Sequence, residues 1–458
     1  MGARERFVRL ILIADVTLGS LVDLTGISTP ARGAIIAVML VGVVAAFPGG
    51  EPRITGPRSL ALWAFVTVTA ISYLRFALDP IAPVTARSVY GLFAMLILSA
   101  IFAYCALLAP ATRSLQRQRL RCALYAPVVF VEVNLILWIV GFSLPTDITQ
   151  SSGGPNTSEM LSLIGLHVTR VNFPLSPGIN GAGSIAAVAL VICSRLLLGR
   201  QRDERRRPIV VGIAASIATI ALADSRGALV FGIVALGLSS VSLRRWATAM
   251  PLALPLAPAI ILFAVGRLGS LTPSLSRQQG DFVTATGRET IWDNVVRFLG
   301  HPHVQDLVGY GAYGQTRTGI GWMDAYLFPG VQYPQFNSVH SLALQTILDT
   351  GWIGLAVLIW FLVVAFSSAY RTASGQRSLE SGALLGALMA LMLIGSDEAL
   401  PGIGGFYLVI ALVTLGTAGM RVVAPARALV RQQRSRNLAA NGASPTAITA
   451  IKRPMRSA

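Results

Sequence analysis

The chain has 458 residues, of which 54% are hydrophobic and 12% charged, about half the charge of an ordinary soluble domain. Long continuous apolar runs at that composition exclude a soluble globular enzyme and point to a helical, polytopic membrane protein, not a β-barrel. The net charge of +17 raises a nucleic-acid reading, but the basic residues sit in short clusters between apolar runs, which is the positive-inside pattern.

In chain order, the N-terminal MGARERFVRL leads into a first helix read at 8–24, uncleaved, since no convincing small-residue cleavage site follows. Further spans are expected at 33–47, 58–78, 89–109, 122–144, 178–198, 208–223, 227–243, 249–266, 339–366, 382–396 and 402–420. The expectation is therefore an all-α protein of about 12 transmembrane helices, several close to the minimum length for crossing a bilayer. Alternating the spans from a cytoplasmic N-terminus puts 27 of the 37 basic residues on the cytoplasmic side. Both termini are then cytoplasmic. The transmembrane domain is read as 1–420, and 421–458 as a basic, disordered tail held near anionic lipid.

Three segments then face outward. Residues 145–177, rich in Ser, Gly, Pro and Thr, read as an irregular loop; Asp224-Ser225-Arg226 is a tight turn; and 267–338 is one large extracytoplasmic loop. Inside that loop, TGRETIWDNVVRFL at 286–299 has helical spacing, with Ile291, Trp292, Val295, Val296 and Leu299 recurring on one side. Trp292 on that face suits a helix lying along the membrane surface. GYGAYG at 309–314 makes a turn.

Three outer residues are candidates for chemistry, because ionisable groups kept at a membrane boundary are functional by default. Arg226 is squeezed between two apolar helices, and Arg288 opens the amphipathic helix, where a guanidinium beside a helix N-terminus makes an anion site. His340 is read at the first turn of a long apolar helix, capped by Ser338. The helix dipole there disfavours the imidazolium, and a neutral imidazole is what a general base needs. Two guanidinium groups for a pyrophosphate and one base for a hydroxyl follow. His301 and His303 have no carboxylate or cysteine at ligand spacing, so no metal site is read, and no nucleotide motif is present. Cys105, Cys122 and Cys193 lie in or at the edges of apolar runs and read as filler. Glu132 and Asp349 are the main mid-helix charges.

These stretches resemble the O-antigen ligase and O-antigen polymerase superfamily of bacterial envelope enzymes. HSLALQTILDTGWIG at 340–354 is similar to its pattern of histidine, usually asparagine, apolar residues, an acidic residue and Gly-x-x-Gly. SRGA at 225–228 and GRETIW at 287–292, followed by the Gly-rich turn, resemble two further segments in the same order. The resemblance spans about 180–400. Ser341 stands where the family usually has asparagine.

The resemblance implies a metal-independent, inverting transfer of a glycan from an undecaprenyl-diphosphate carrier to a glycan or glycolipid hydroxyl, on the outer face of the cytoplasmic membrane. No cofactor and no nucleic acid are implied. His340 would be the catalytic base, and Arg226 and Arg288 would bind the pyrophosphate. Asp397, Glu398 and Ser341 would be second-rank candidates for orienting the base or the acceptor. Arg75 and Arg87 flank an outer loop and are weaker candidates for phosphate, while Tyr313 and Trp322 are read as packing before sugar stacking. Ligase and polymerase share the donor and differ in the acceptor. The rival class is a transporter or flippase, which favours midplane charges and related halves; no such symmetry is visible.

Overall fold

A computed structural model describes residues 3–19, 29–46, 57–82, 113–142, 158–198 apart from 163 and 176–178, 206–239, 249–256, 288–328, 333–376 and 379–397, with isolated positions between them. The described residues are helical, with turns and short 3-10 segments linking the helices. The longer helices are α1 (Ala3–Gly19), α2 (Thr29–Ala46), α3 (Pro57–Leu78), α4 (Arg113–Ile139), α5 (Ile179–Leu198), α6 (Arg207–Ala223), α7 (Arg226–Leu238), α8 (Arg288–Leu299), α9 (Leu342–Gln376) and α10 (Leu379–Asp397).

Among the described residues, 4 helices are long and apolar enough to cross a membrane: Leu60–Leu78, Arg117–Ile139, Asn180–Leu198 and Leu342–Arg371. The chain is thus an integral membrane protein of the helical type. Shorter apolar helices run over Gly33–Ala46, Arg207–Ala223, Arg226–Leu238 and Glu380–Ser396. Most of the span expected at 89–109, and all of that at 402–420 with the tail after it, lie outside the described residues. The span expected at 249–266 begins as a 3-10 helix, Met250–Leu256. Pro255 lacks the amide hydrogen an α-helix needs there.

α5 is the central helix, packed against α4, α6, α7 and α10. Its inner positions are small or β-branched, with Ala186, Ala187, Val188, Ala189 and Ile192 fully buried. Small residues let membrane helices approach closely, where apolar burial alone gives little drive for association. α9 packs between α3 and α10, with Phe361 stacked on Phe65 of α3 at 4.8 Å.

Charge at one end of the bundle is organised more tightly than a positive-inside tally implies. α4 begins at Arg113, nine residues before the expected span, and its basic turns stay helical. There Arg117 and Arg121 donate from Nε to Glu380 Oε1 at 2.8 and 2.5 Å, and Arg119 pairs with Glu5 at 2.9 Å. Glu380 is fully buried while Arg117 and Arg121 stay half in solvent. These arginines therefore fasten α4 to α10 and α1.

Candidate active site

Two clusters hold the candidate residues. The first forms at the corner between α6 and α7. α6 ends in a Schellman arrangement: the amide of Asp224 donates to Ala221 O at 3.2 Å and that of Ser225 to Ile220 O at 3.1 Å. Asp224 takes the left-handed conformation, φ 51°, that glycine usually fills. The expected tight turn at 224–226 is present, and Arg226 is the first residue of α7. Its Nε donates to Asp224 Oδ1 at 3.3 Å, and the same oxygen accepts the Met160 amide at 3.3 Å.

The segment before α5 is irregular where it is described, apart from the short helix Glu159–Ser162, and hydrogen bonds hold it to α6. Its donors satisfy the last carbonyls of α6, which have no partner within the helix. Ser158 Oγ donates to Ala221 O (2.7 Å), the Val171 amide to Leu222 O (2.9 Å), and the Arg170 guanidinium through Nε and Nη2 to Ala223 O (3.2 and 3.1 Å). Asn134 of α4 holds the far end by accepting the Leu175 amide at 2.8 Å. Arg170 is a residue that reading the sequence missed. Its one signal was a basic residue inside LHVTRVNF, in an outer segment otherwise short of charge.

The second cluster surrounds His340. α8 forms as its periodicity predicts, beginning at Arg288, which is partly buried. Most of its apolar face is covered by protein, while Val296 is exposed. Ile291, Trp292 and Val295 are buried against Ile320, Val339, Leu344 and Leu348, and Trp292 Nε1 donates to Val339 O at 2.9 Å. Burial within the protein satisfies both the indole ring and its N–H, which an interfacial position would leave to water. On the next side of α8, Asn294 donates to Asp324 at 2.7 Å. Burial pushes the Asp324 carboxyl above its usual range, and the Asn294 bond opposes that rise.

The Gly-rich turn is laid directly on the backbone of α9. The Tyr310 amide donates to Leu348 O (2.7 Å), that of Gly311 to Asp349 O (3.0 Å), and that of Gly314 to Asp349 Oδ1 (2.8 Å). α9 bends at Gly351, whose φ of 75° and ψ of −175° are not helical. Tyr310 also donates to Asp306 at 2.7 Å. Burial and that carboxylate raise its phenol to about 12, so it stays a neutral donor. From α3, Arg75 donates to Gly309 O at 2.6 Å, and Arg317 pairs with Asp79 and lies over the Phe76 ring. Arg75 thus holds the turn through Nη1; Arg87 lies outside the described residues. Tyr313 packs between Phe76 and Phe336, while Trp322 is exposed.

His340 sits just outside the helix, one residue before its cap and three positions earlier relative to the helix than the sequence implied. α9 starts at Leu342 and its cap is Ser341, not Ser338. The Gln345 amide donates to Ser341 O at 2.9 Å, and the Leu344 amide reaches Ser341 Oγ at 3.5 Å. Serine and asparagine rank together at this position, which accounts for Ser341 standing where the resemblance has asparagine. His340 itself is left-handed, φ 51°, with its ring stacked on Phe328 at 6.0 Å. Among the described residues, the non-glycine residues with positive φ are Asp224, Tyr313 and His340. Such strain persists only where the surroundings over-determine it, and it gathers at functional sites.

The described contacts therefore tie His340 to the helix that opens with Arg288, and Arg226 to the 158–175 segment. Asp397 is the last residue of α10, and Glu398 lies outside the described residues. A family model described as O-antigen ligase matches residues 211–359, a stretch that holds Arg226, Arg288, His340 and Ser341 and stops short of Asp397. No curated protein matches the chain. The stretch from α6 through the first half of α9 accordingly carries the match to the O-antigen ligase family, which supports the O-antigen ligase and polymerase superfamily.

Proposed function

We propose that this protein is a membrane glycosyltransferase that moves a glycan from an undecaprenyl-diphosphate carrier to an acceptor hydroxyl at the outer face of the cytoplasmic membrane. The observation that carries this reading is the coupling of His340 to the Arg288 helix within the family-matched stretch. In the proposed step the acceptor oxygen bonds to the anomeric carbon as the bond from that carbon to the pyrophosphate oxygen breaks. His340 takes the acceptor proton, and undecaprenyl diphosphate leaves with the bonding electron pair. Attack opposite the leaving group inverts the anomeric centre, and no metal is needed in this scheme. Convergence of all three residues on one donor belongs to the proposal, as do about twelve spans and cytoplasmic termini.

Arg226 and Arg288 would stabilise the charge that develops on the leaving pyrophosphate, as fixed donors do in an oxyanion hole. Lysine keeps the charge but not the planar fork. Arg226→Lys and Arg288→Lys are each expected to slow transfer about 10- to 100-fold, part of the roughly 100- to 1,000-fold seen when one such donor is lost. Wild-type rates in both variants would make these arginines structural.

The acceptor separates ligase from polymerase, and a deletion strain reads it out. Lipid-linked polymer that accumulates on the outer face assigns a ligase, and single lipid-linked repeats assign a polymerase of the same superfamily. Precursor trapped on the cytoplasmic face would replace both with a flippase.

A further inference from the structure

We infer that Trp292 and Gln345 are positioning residues that grip the same residue, Val339, by its carbonyl and its amide, and so fix where His340 stands relative to the helix that begins at Arg288. The inference rests on the glycan-transfer reading above. Trp292 Nε1 holds the Val339 carbonyl at 2.9 Å, and Gln345 Oε1 accepts the Val339 amide at 3.1 Å. Val339 is 2% exposed, so neither bond is exchanged with solvent. The residue that follows is His340, in its left-handed conformation.

The orientation of the Gln345 amide is forced by what surrounds it. A backbone amide only donates, so the atom facing Val339 must be Oε1. Nε2 then points the other way, donating to Gln315 Oε1 at 2.8 Å and to Asp349 Oδ1 at 2.9 Å. Gln315 in turn donates through Nε2 to the carbonyls of Phe336 and Asn337, at 3.2 and 3.0 Å, and carbonyls only accept. Asp349 Oδ1 also takes the Gly314 amide, which only donates. Every member of the chain is thus satisfied in a single direction of donation. A buried network satisfied in one sense specifies one arrangement.

The consequence is mechanical. Asp349, one turn below Gln345 on the same face of α9, joins the Gly-rich turn to Gln345. Gln345 passes that registration to Val339, and Trp292 carries it to α8. A shift of about 1 Å in a reacting group can cost about 100-fold in rate, so a base held by two bonds to its preceding residue depends on both.

The test uses the full-length protein. The donor is the lipid-linked glycan extracted from cells deleted for this chain, and membranes of those cells supply the acceptor. Trp292→Phe keeps an aromatic ring on the buried face and loses the indole N–H together with the volume of the second ring; Gln345→Leu loses all three amide bonds. Each is expected to lower kcat about 10- to 100-fold, with KM for the donor within about twofold of wild type. Because both act on one residue, the double variant should lose no more than the worse single, not the product of the two. Wild-type kcat in Trp292→Phe beside an inactive His340→Ala would overturn the inference alone, as would losses that multiply. Wild-type transfer by His340→Ala would overturn the role of His340, and this inference with it.

Discussion

His340→Ala slows glycan transfer at least about 100-fold while the protein still inserts and folds. A positioned general base contributes roughly 100- to 10,000-fold, and among the described residues there is no second histidine within α9 or its cap to replace it. The informative companion is His340→Gly. A residue with a β-carbon at φ 51° is held in a region that costs about 1–2 kcal/mol for most side chains, less for histidine. Glycine relieves that strain but loses the ring contact to Phe328, worth about 0.5–1.5 kcal/mol. The two effects nearly cancel. The expected result is a transfer-dead protein whose thermal unfolding in detergent stays within about 1 kcal/mol of wild type. Active His340→Gly membranes would remove the base. A large loss of stability would mean the histidine is there for packing.

The sequence carried the helices whose apolar runs are long, and it carried α8 because five apolar residues recur there at helical spacing. It carried the α6–α7 corner because three polar residues interrupt two apolar runs. What it did not carry is what covers each face. The period of α8 says that Trp292 lies on an apolar side; it cannot say whether lipid or Val339 lies against that side. The cap of α9 was misplaced for a related reason. Ser338 and Ser341 are both acceptable caps by type, and the choice falls to Ser341 because the chain turns left-handed at His340. Histidine does not announce that turn as glycine would.

The residues that join the candidate site together were also the quiet ones. Gln315 and Gln345 are uncharged amides in apolar surroundings: Gln315 follows the Gly-rich turn, and Gln345 falls among the positions of the 340–354 pattern that the resemblance leaves merely apolar. The one available signal was spacing: Gln345 precedes Asp349 by four positions, which places both on one face of a helix. Asp349 read as a charge in the middle of a span, the feature a transporter would keep. At the bend of α9 it accepts the amide of Gly314 and the side chain of Gln345, so its place in the fold is accounted for without a transport path. Arg170 went unread because its partner, the Ala223 carbonyl, is 53 residues away.

Gly351→Ala is expected to detach the outer segment from α9. A β-carbon at Gly351 would lie 2.3 Å from the Leu307 carbonyl oxygen and 2.5 Å from the Gly309 nitrogen. Both are backbone atoms, which cannot swing aside as a side-chain end can. The φ of 75° with ψ of −175° is also essentially open to glycine alone, at about 1–3 kcal/mol for another residue. Overpacking adds about 1–3 kcal/mol, so the change costs about 4 kcal/mol, a large part of a typical total stability of about 5–15 kcal/mol. The loss should be local first. Residues 304–318 would become open to protease from the outer face while α5 and α6 keep their packing, and transfer would fall with the loss of registration at His340. Gly237→Ala is the control, since a β-carbon there meets nothing within 4 Å and its φ is not positive; helix propensity makes it neutral or stabilising by up to about 1 kcal/mol. Protease resistance and transfer in Gly351→Ala equal to those of Gly237→Ala would mean that the bend does not hold the Gly-rich turn, and the route from Asp349 to the base would have to be redrawn.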